Sequence, residues 1–204
     1  MRSGGFRLHV FDIVEQSAKA AQGPNPCGAV HDALKTLRGR LDDVREALDF
    51  CSCAKAEDAP DRQIFYRSPN LTMMRICFCP GLRTPPHDHS TWAAMLMLSG
   101  KERNTFYRRC GQNGLARIND IVLETGSVFH MKIDAIHVAE CATDEPAVAL
   151  HVYGGDLDLL PRRVWHPQTL KEFPMEMERY EEFSRLAASD CAPPGLSPPA
   201  ALTA

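Results

Sequence analysis

From residue 9 to residue 48 apolar side chains return every three or four positions, whereas beyond about residue 62 they alternate or run together in short blocks. Residues 9–21, HVFDIVEQSAKAA, put Val10, Ile13, Val14 and Ala18 on one helical stripe, and GPNPCG at 23–28 breaks the period. Residues 29–50 resume it with Val30, Leu34, Leu37, Leu41, Val44 and Leu48, which predicts an amphipathic helix kinked near Gly39. From residue 63 the texture is that of strands. QIFYRSPNLTMMRICFCPG holds two β-like runs split by SPN. STWAAMLMLSG, KERNTFYRR, ARINDIVLETG, SVFHMK, IHVAEC and PAVALHVYGG follow, most of them separated by turn residues. Many short strands at this spacing predict a sandwich or barrel. Nearly every residue from 92 to 98 is apolar, so that strand should be covered on both faces, the outer cover coming from the N-terminal helices. Residues 169–189 predict one last helix, and the Pro/Ala-rich residues 190–204 predict disorder. The expected division is a helical cover over 1–58, a β unit over 59–168 and a C-terminal extension over 169–204.

The bulk numbers narrow the class. The chain of 204 residues is 44% hydrophobic and 24% charged with a net charge of -3, the balance of a globular domain with no basic face for nucleic acid or anionic membrane. The first residues make a poor signal peptide, and no window reaches the length of a membrane span, so a cytoplasmic protein is expected. On that reading the eight cysteines are reduced thiols, and Cys77 and Cys79, placed on a strand, share one face as small buried hydrophobes.

Candidate chemistry enters at TPPHDHSTW. In a strand His87 and His89 point to one side and Asp88 to the other. Two imidazoles can grip a metal ion but need a third ligand, and His137 stands in MKIDAIHVAEC, at a turn that leads into a strand. The order His87-x-His89, Gly100, Gly126, His137 resembles the two motifs of the cupins. That resemblance implies a mainly β protein, a double-stranded β-helix of jelly-roll-like barrel form with the N-terminal helices packed outside. The usual cupin glutamate is missing, its positions being Ala93 and Ala94.

A three-histidine cupin resembles, more narrowly, the thiol dioxygenases of the cysteine dioxygenase-like group in its bacterial branch. FYRSPN, with Arg67, and PAVALHVYGGD, with His151 and Tyr153, support the likeness, as do HDH, Trp92, NTFYRR and the later LHVYGGDL and Trp165; together they span residues 61–165. The resemblance implies Fe(2+) on His87, His89 and His137, a substrate carboxylate on Arg67, catalytic Tyr153 oriented by His151, and Trp92 walling the pocket. Arg75, Arg83 and Arg103 are rivals for the role of Arg67. Two departures bear on the substrate. The cysteine that is cross-linked to the tyrosine in the animal enzyme has no counterpart, and Ala149 stands where the Ser-His-Tyr relay begins. The implied reaction oxidises a small carboxylated thiol, of the cysteine or 3-mercaptopropionate type, with O2 to a sulfinic acid. A metal cupin with other chemistry (a non-thiol oxygenase or isomerase) and a small-molecule-binding cupin are the alternatives. Expected partners are the thiol and O2 alone, without nucleic acid or membrane, in a monomer or homodimer. His9, His31, His130 and His166 carry no chemical signal.

Overall fold

The computed structural model describes residues 7–48, 60–111 and 114–189. The helical opening is α1 (Val10–Ala20) and α2 (Pro26–Thr36), then a 3-10 turn over Arg38–Arg40 and α3 (Leu41–Ala47). Pro26 at the first helical position and the Asn25 side chain, which accepts from Gly28 N–H at 3.2 Å, start α2 where the sequence breaks the period. The expected kink near Gly39 is a full interruption of the α-helix, since Gly39 falls inside the 3-10 turn.

The strands are β1 (Asp61–Ser68), β2 (Leu71–Phe78), β3 (His87–Asp88), β4 (Ala93–Ser99), β5 (Lys101–Cys110), β6 (Gly114–Glu124), β7 (Val128–Met131), β8 (Ile136–Cys141), β9 (Ala147–Tyr153), β10 (Arg163–Trp165) and β11 (Glu172–Pro174), followed by α4 (Met177–Ser189). They form two antiparallel sheets, one ordered β1-β2-β9-β4-β7 and the other β11-β10-β3-β8-β5-β6. From β2 onward the chain keeps crossing between sheets, β2 to β3, β3 to β4, β4 to β5, β6 to β7, β7 to β8 and β8 to β9. That alternation is the double-stranded β-helix, or jelly roll, that the sequence predicts, built as two facing sheets.

Alternation along the central strands sorts the core into two layers. Leu71, Met73 and Cys77 of β2, Ala94, Leu96 and Leu98 of β4, and Val148, Leu150 and Val152 of β9 join Val30, Leu34, Val44 and Leu48 from the helices in one cluster. Met74, Ile76 and Phe78, Ala93, Met95 and Met97, and Ala147, Ala149 and Tyr153 face the other sheet. β4 is thus covered on both faces, as its unbroken apolar run predicts, and the N-terminal helices are the outer cover. Each large side chain buried in this way contributes roughly 2 kcal/mol, which fixes the register, because a one-residue slip would exchange the two layers.

Two cysteine expectations fail. Cys77 is disulfide-bonded, while Cys27, Cys79, Cys110 and Cys141 are free. The pair at 51 and 53 lies outside the described residues. Nor do Cys77 and Cys79 share a face: Cys77 lies in the helix-side cluster, but β2 ends at Phe78 and Cys79 packs against the inter-sheet cluster. Alternation holds only as far as the strand does. The predicted tail over 190–204 is likewise outside the described residues, and α4 supplies the predicted last helix. No helix among the described residues is long and apolar enough to cross a membrane.

Candidate metal centre

β3 is two residues long and is held between β8 and β10, with His87 opposite His137 on one side and Val164 on the other. Directly opposed residues of an antiparallel pair carry their side chains to the same face, so this register alone brings two imidazoles together. His89 follows just past the strand. Ser90, next in the chain, has φ 52, a backbone conformation rare outside glycine, and its hydroxyl donates to Pro161 C=O at 3.1 Å. Asp88 points away and accepts from Arg163 N–H at 2.8 Å, anchoring β3 from its outer face.

His87, His89 and His137 are all buried, and each offers a ring nitrogen within 4.8 Å of the others. The Nε2 atoms of His89 and His137 are 3.4 Å apart. His87 Nδ1 lies 3.0 Å from Pro85 C=O, and His137 Nδ1 lies 2.7 Å from Asn104 Oδ1. A carbonyl oxygen only accepts, so both Nδ1 atoms carry the proton and both Nε2 lone pairs face inward. Burial favours the neutral form of all three rings. It takes His137 down to about 4 and His87 and His89 well below the ordinary histidine value, and the neighbouring imidazoles add to the effect on His87 and His89. Three neutral imidazoles with converging lone pairs could hold a divalent metal ion. Ala93 and Ala94, where the usual cupin glutamate would stand, are fully buried and offer no ligand.

Beside this trio lies a cavity of about 240 Å³, lined by His87, His89, Tyr153, three arginines (Arg62, Arg67, Arg162), Tyr180 and, as its one acidic residue among those described, Asp158. Ile64 of β1, Leu157 and Met177 of α4 contribute apolar wall. Tyr153 packs edge-on against His89 at 5.0 Å between ring centroids, and its hydroxyl is 3.2 Å from His151 Nδ1. Burial lifts the Tyr153 hydroxyl above the ordinary tyrosine value and lowers His151 to about 3, so both are neutral at pH 7. His151 Nε2 is buried without a hydrogen-bond partner.

The predicted residues are distributed unevenly around this cavity. Arg67 lines it but is spoken for, with its Nη1 2.6 Å from Asp158 and its Nε 3.8 Å from Asp156, and it is 38% exposed. Trp92 lies elsewhere: it packs against the helix-side cluster and lines a separate cavity with α1 and the β1–β2 turn. A Cβ on Gly154 would meet its ring at 2.1 Å, so glycine is required for the indole to lie there. The reason is parity: with Ala93 facing between the sheets, the residue before it points outward. The rivals are also engaged outside the cavity, Arg75 with Asp61 at 3.3 Å, and Arg83 and Arg103 with Glu140 at 3.5 and 2.8 Å. His130, unassigned in the sequence, packs edge-on against His31 at 4.6 Å.

Three residues of the cavity carried no signal in the sequence. Arg162 sits in the loop after β9, and its Nε is buried without a partner. Tyr180 comes from α4, stands edge-on to His87 at 5.6 Å and receives the Arg62 guanidinium 4.8 Å above its ring. Spacing links none of them to the histidines; only the packing of β1, the β9–β10 loop and α4 around one cavity does.

No family model matches the chain, and no curated protein matches it. Among solved structures it is similar to an uncharacterized conserved protein with a double-stranded β-helix domain from Klebsiella pneumoniae (15% identity, covering 57% of this chain and 85% of that one, TM-score 0.43). It is also similar to an RmlC-like cupin family protein from Methanocaldococcus jannaschii (8% identity, 52% and 89% covered, TM-score 0.41). A third similarity is to oxalate decarboxylase from Bacillus subtilis (23% identity, 54% of this chain but 29% of that one, TM-score 0.42). The first two of these are double-stranded β-helix or cupin proteins by description, and the assignment of this chain to a double-stranded β-helix rests on its own strand order.

Proposed function

We propose that the protein is a non-heme Fe(II) thiol dioxygenase that converts a small thiol carboxylic acid and O2 to the sulfinic acid. The single observation that carries this reading is a trio of neutral, inward-facing imidazoles beside a cavity with two arginines not engaged by its acidic residue. In the balanced reaction the thiol sulfur gives up four electrons, O2 is reduced by four, and both oxygen atoms end on sulfur. Imidazole ligands suit several metals, and the choice of iron follows the family resemblance. A ferrous ion bound by His87, His89 and His137 would supply a Lewis acid that stabilises thiolate and a common centre for thiolate and O2.

The chain's own groups define the substrate. Arg67 and Asp158 cancel one another, which leaves Arg62 and Arg162 as cationic groups facing the cavity. Arg162, with its unpartnered Nε, is better placed than Arg67 to receive a carboxylate, because an anion there would satisfy a buried donor. Among the described residues an α-ammonium would find no unpaired acid at the cavity, since Asp158 is already paired. The preferred substrate therefore carries a thiol and a carboxylate but no amino group, as 3-mercaptopropionate does, and cysteine is the poorer one. An unpaired lone pair is the smaller penalty in a dry interior, so His151 donates from Nδ1 to the Tyr153 oxygen and leaves Nε2 as acceptor. Tyr153 O–H is then free to donate toward the reacting end of the substrate.

Oxygen uptake by the iron-loaded protein with a panel of thiols tests the reading. The expected order of kcat/KM is 3-mercaptopropionate above cysteine above cysteamine. No uptake with any thiol at full iron occupancy overturns it, and uptake driven by a thiol-free substrate moves the protein to another metal-dependent chemistry. Arg162→Ala should lower kcat/KM for 3-mercaptopropionate by about 2–3 kcal/mol, roughly 30- to 150-fold, and do less to cysteamine. Arg67→Ala should do less than Arg162→Ala with the acid, and the reverse order would return the carboxylate to Arg67.

A further inference from the structure

Glu102 is 1% exposed, on the face of β5 that also carries Asn104. Burying an ionised carboxyl costs several kcal/mol unless it is paired or hydrogen-bonded. Its Oε1 accepts from Asn104 Nδ2 at 2.8 Å, and Asn104, fully buried, turns its Oδ1 to His137 Nδ1 at 2.7 Å. The polarity of this chain is set from its far end. When ionised, Glu102 only accepts, which selects the amide orientation in the structure, NH2 toward Glu102 and oxygen toward His137. A reversed amide would set NH2 against the ring and favour the tautomer with its proton on Nε2, the atom that has to meet the metal.

We propose that Glu102 is a positioning residue for the metal centre, fixing the Asn104 amide so that His137 presents an unprotonated Nε2. This rests on the reading of His87, His89 and His137 as metal ligands.

The inference makes stability and metal affinity move in opposite directions. Glu102→Met replaces a buried acid by an apolar side chain of similar length, so the metal-free variant should unfold at the same or a higher urea concentration. Its affinity for Co(II), followed by visible absorption in competition with a chelator, should nonetheless fall about 10- to 100-fold. Glu102→Gln keeps an acceptor for Asn104 and should stay within about 3-fold of the wild type. Asn104→Leu removes the acceptor of His137 directly and should weaken Co(II) about 10- to 100-fold against the wild type, a comparison that stands even if the methionine variant does not fold. Wild-type protein that takes up no Co(II) overturns the metal centre and this inference with it. Wild-type binding with Glu102→Met or Asn104→Leu unchanged, or Glu102→Gln as weak as Glu102→Met, overturns the positioning role alone.

Discussion

Two tyrosines reach the same cavity from different parts of the chain, and their surroundings give them different tasks. Tyr153 lies against His89 with its oxygen on His151, beside the three clustered imidazoles. Tyr153→Phe should leave metal content unchanged and lower kcat about 10- to 100-fold, checked by metal analysis alongside steady-state oxygen uptake. Unchanged turnover would make the hydroxyl structural. Tyr180 lies against His87 and carries Arg62 over its ring. Tyr180→Ala removes the surface that holds the guanidinium, and should raise KM for the acid by about 5- to 10-fold while metal affinity stays the same. The three histidines were legible because H-x-H followed by a later histidine is a local pattern. Arg67 was read into the site from a neighbouring motif, and the structure gives that arginine a carboxylate of its own. Arg162 was illegible, because an arginine in a polar loop looks like any solvated charge until its loop folds over a cavity.

At the scale of elements, alternation was the reliable guide and its end points were not. The run through β4 predicted burial on both faces, and Ala94, Leu96 and Leu98 do meet the helices while Ala93, Met95 and Met97 meet the second sheet. The same rule misplaced Cys79, just past a strand end, whereas Trp92, which the resemblance put at the pocket, obeys alternation and turns outward. Turns are where single residues matter most to the elements. Gly100 joins β4 to β5 at φ 69, and a Cβ there would come within 2.4 Å of Pro146 C=O, a backbone atom that cannot swing aside. Gly100→Ala should therefore destabilise the protein by ~2–3 kcal/mol, or roughly 5–10 °C in Tm by calorimetry. A shift under one degree would mean that the turn relaxes freely.

The whole molecule responds to pH through groups that folding has dried out. His137 falls to about 4 and His151 to about 3, with His87 and His89 lowered as well, all from an unfolded value of 6.5. Between those limits the unfolded chain binds more protons at these rings, so native stability is lost as pH falls below about 6.5. Each ring contributes roughly 1.4 kcal/mol per pH unit across its window. Glu102, raised from 4.5 to about 7, acts in the opposite sense, its share being present at low pH and lost as pH rises through 7. Four rings outweigh one carboxyl, so metal-free protein should unfold at less urea at pH 5 than at pH 7. An equal or higher midpoint at pH 5 would mean that the rings are solvated in the native state.

By itself the sequence determined what short-range chemistry can specify: helices then strands, the doubly covered β4, the glycine turns and the identity of the three imidazoles. Periodicity and motif spacing are properties of neighbours along the chain, and burial enforces them strand by strand. Only the tertiary structure decided that Arg62 and Arg162 join Arg67 around the cavity, that α4 lends Tyr180 to it, that Trp92 turns away, that Cys77 is bridged, and that the acid two residues before Asn104 is buried. Those outcomes depend on which faces meet across two sheets and a helix, and long-range packing leaves no mark in the spacing of residues.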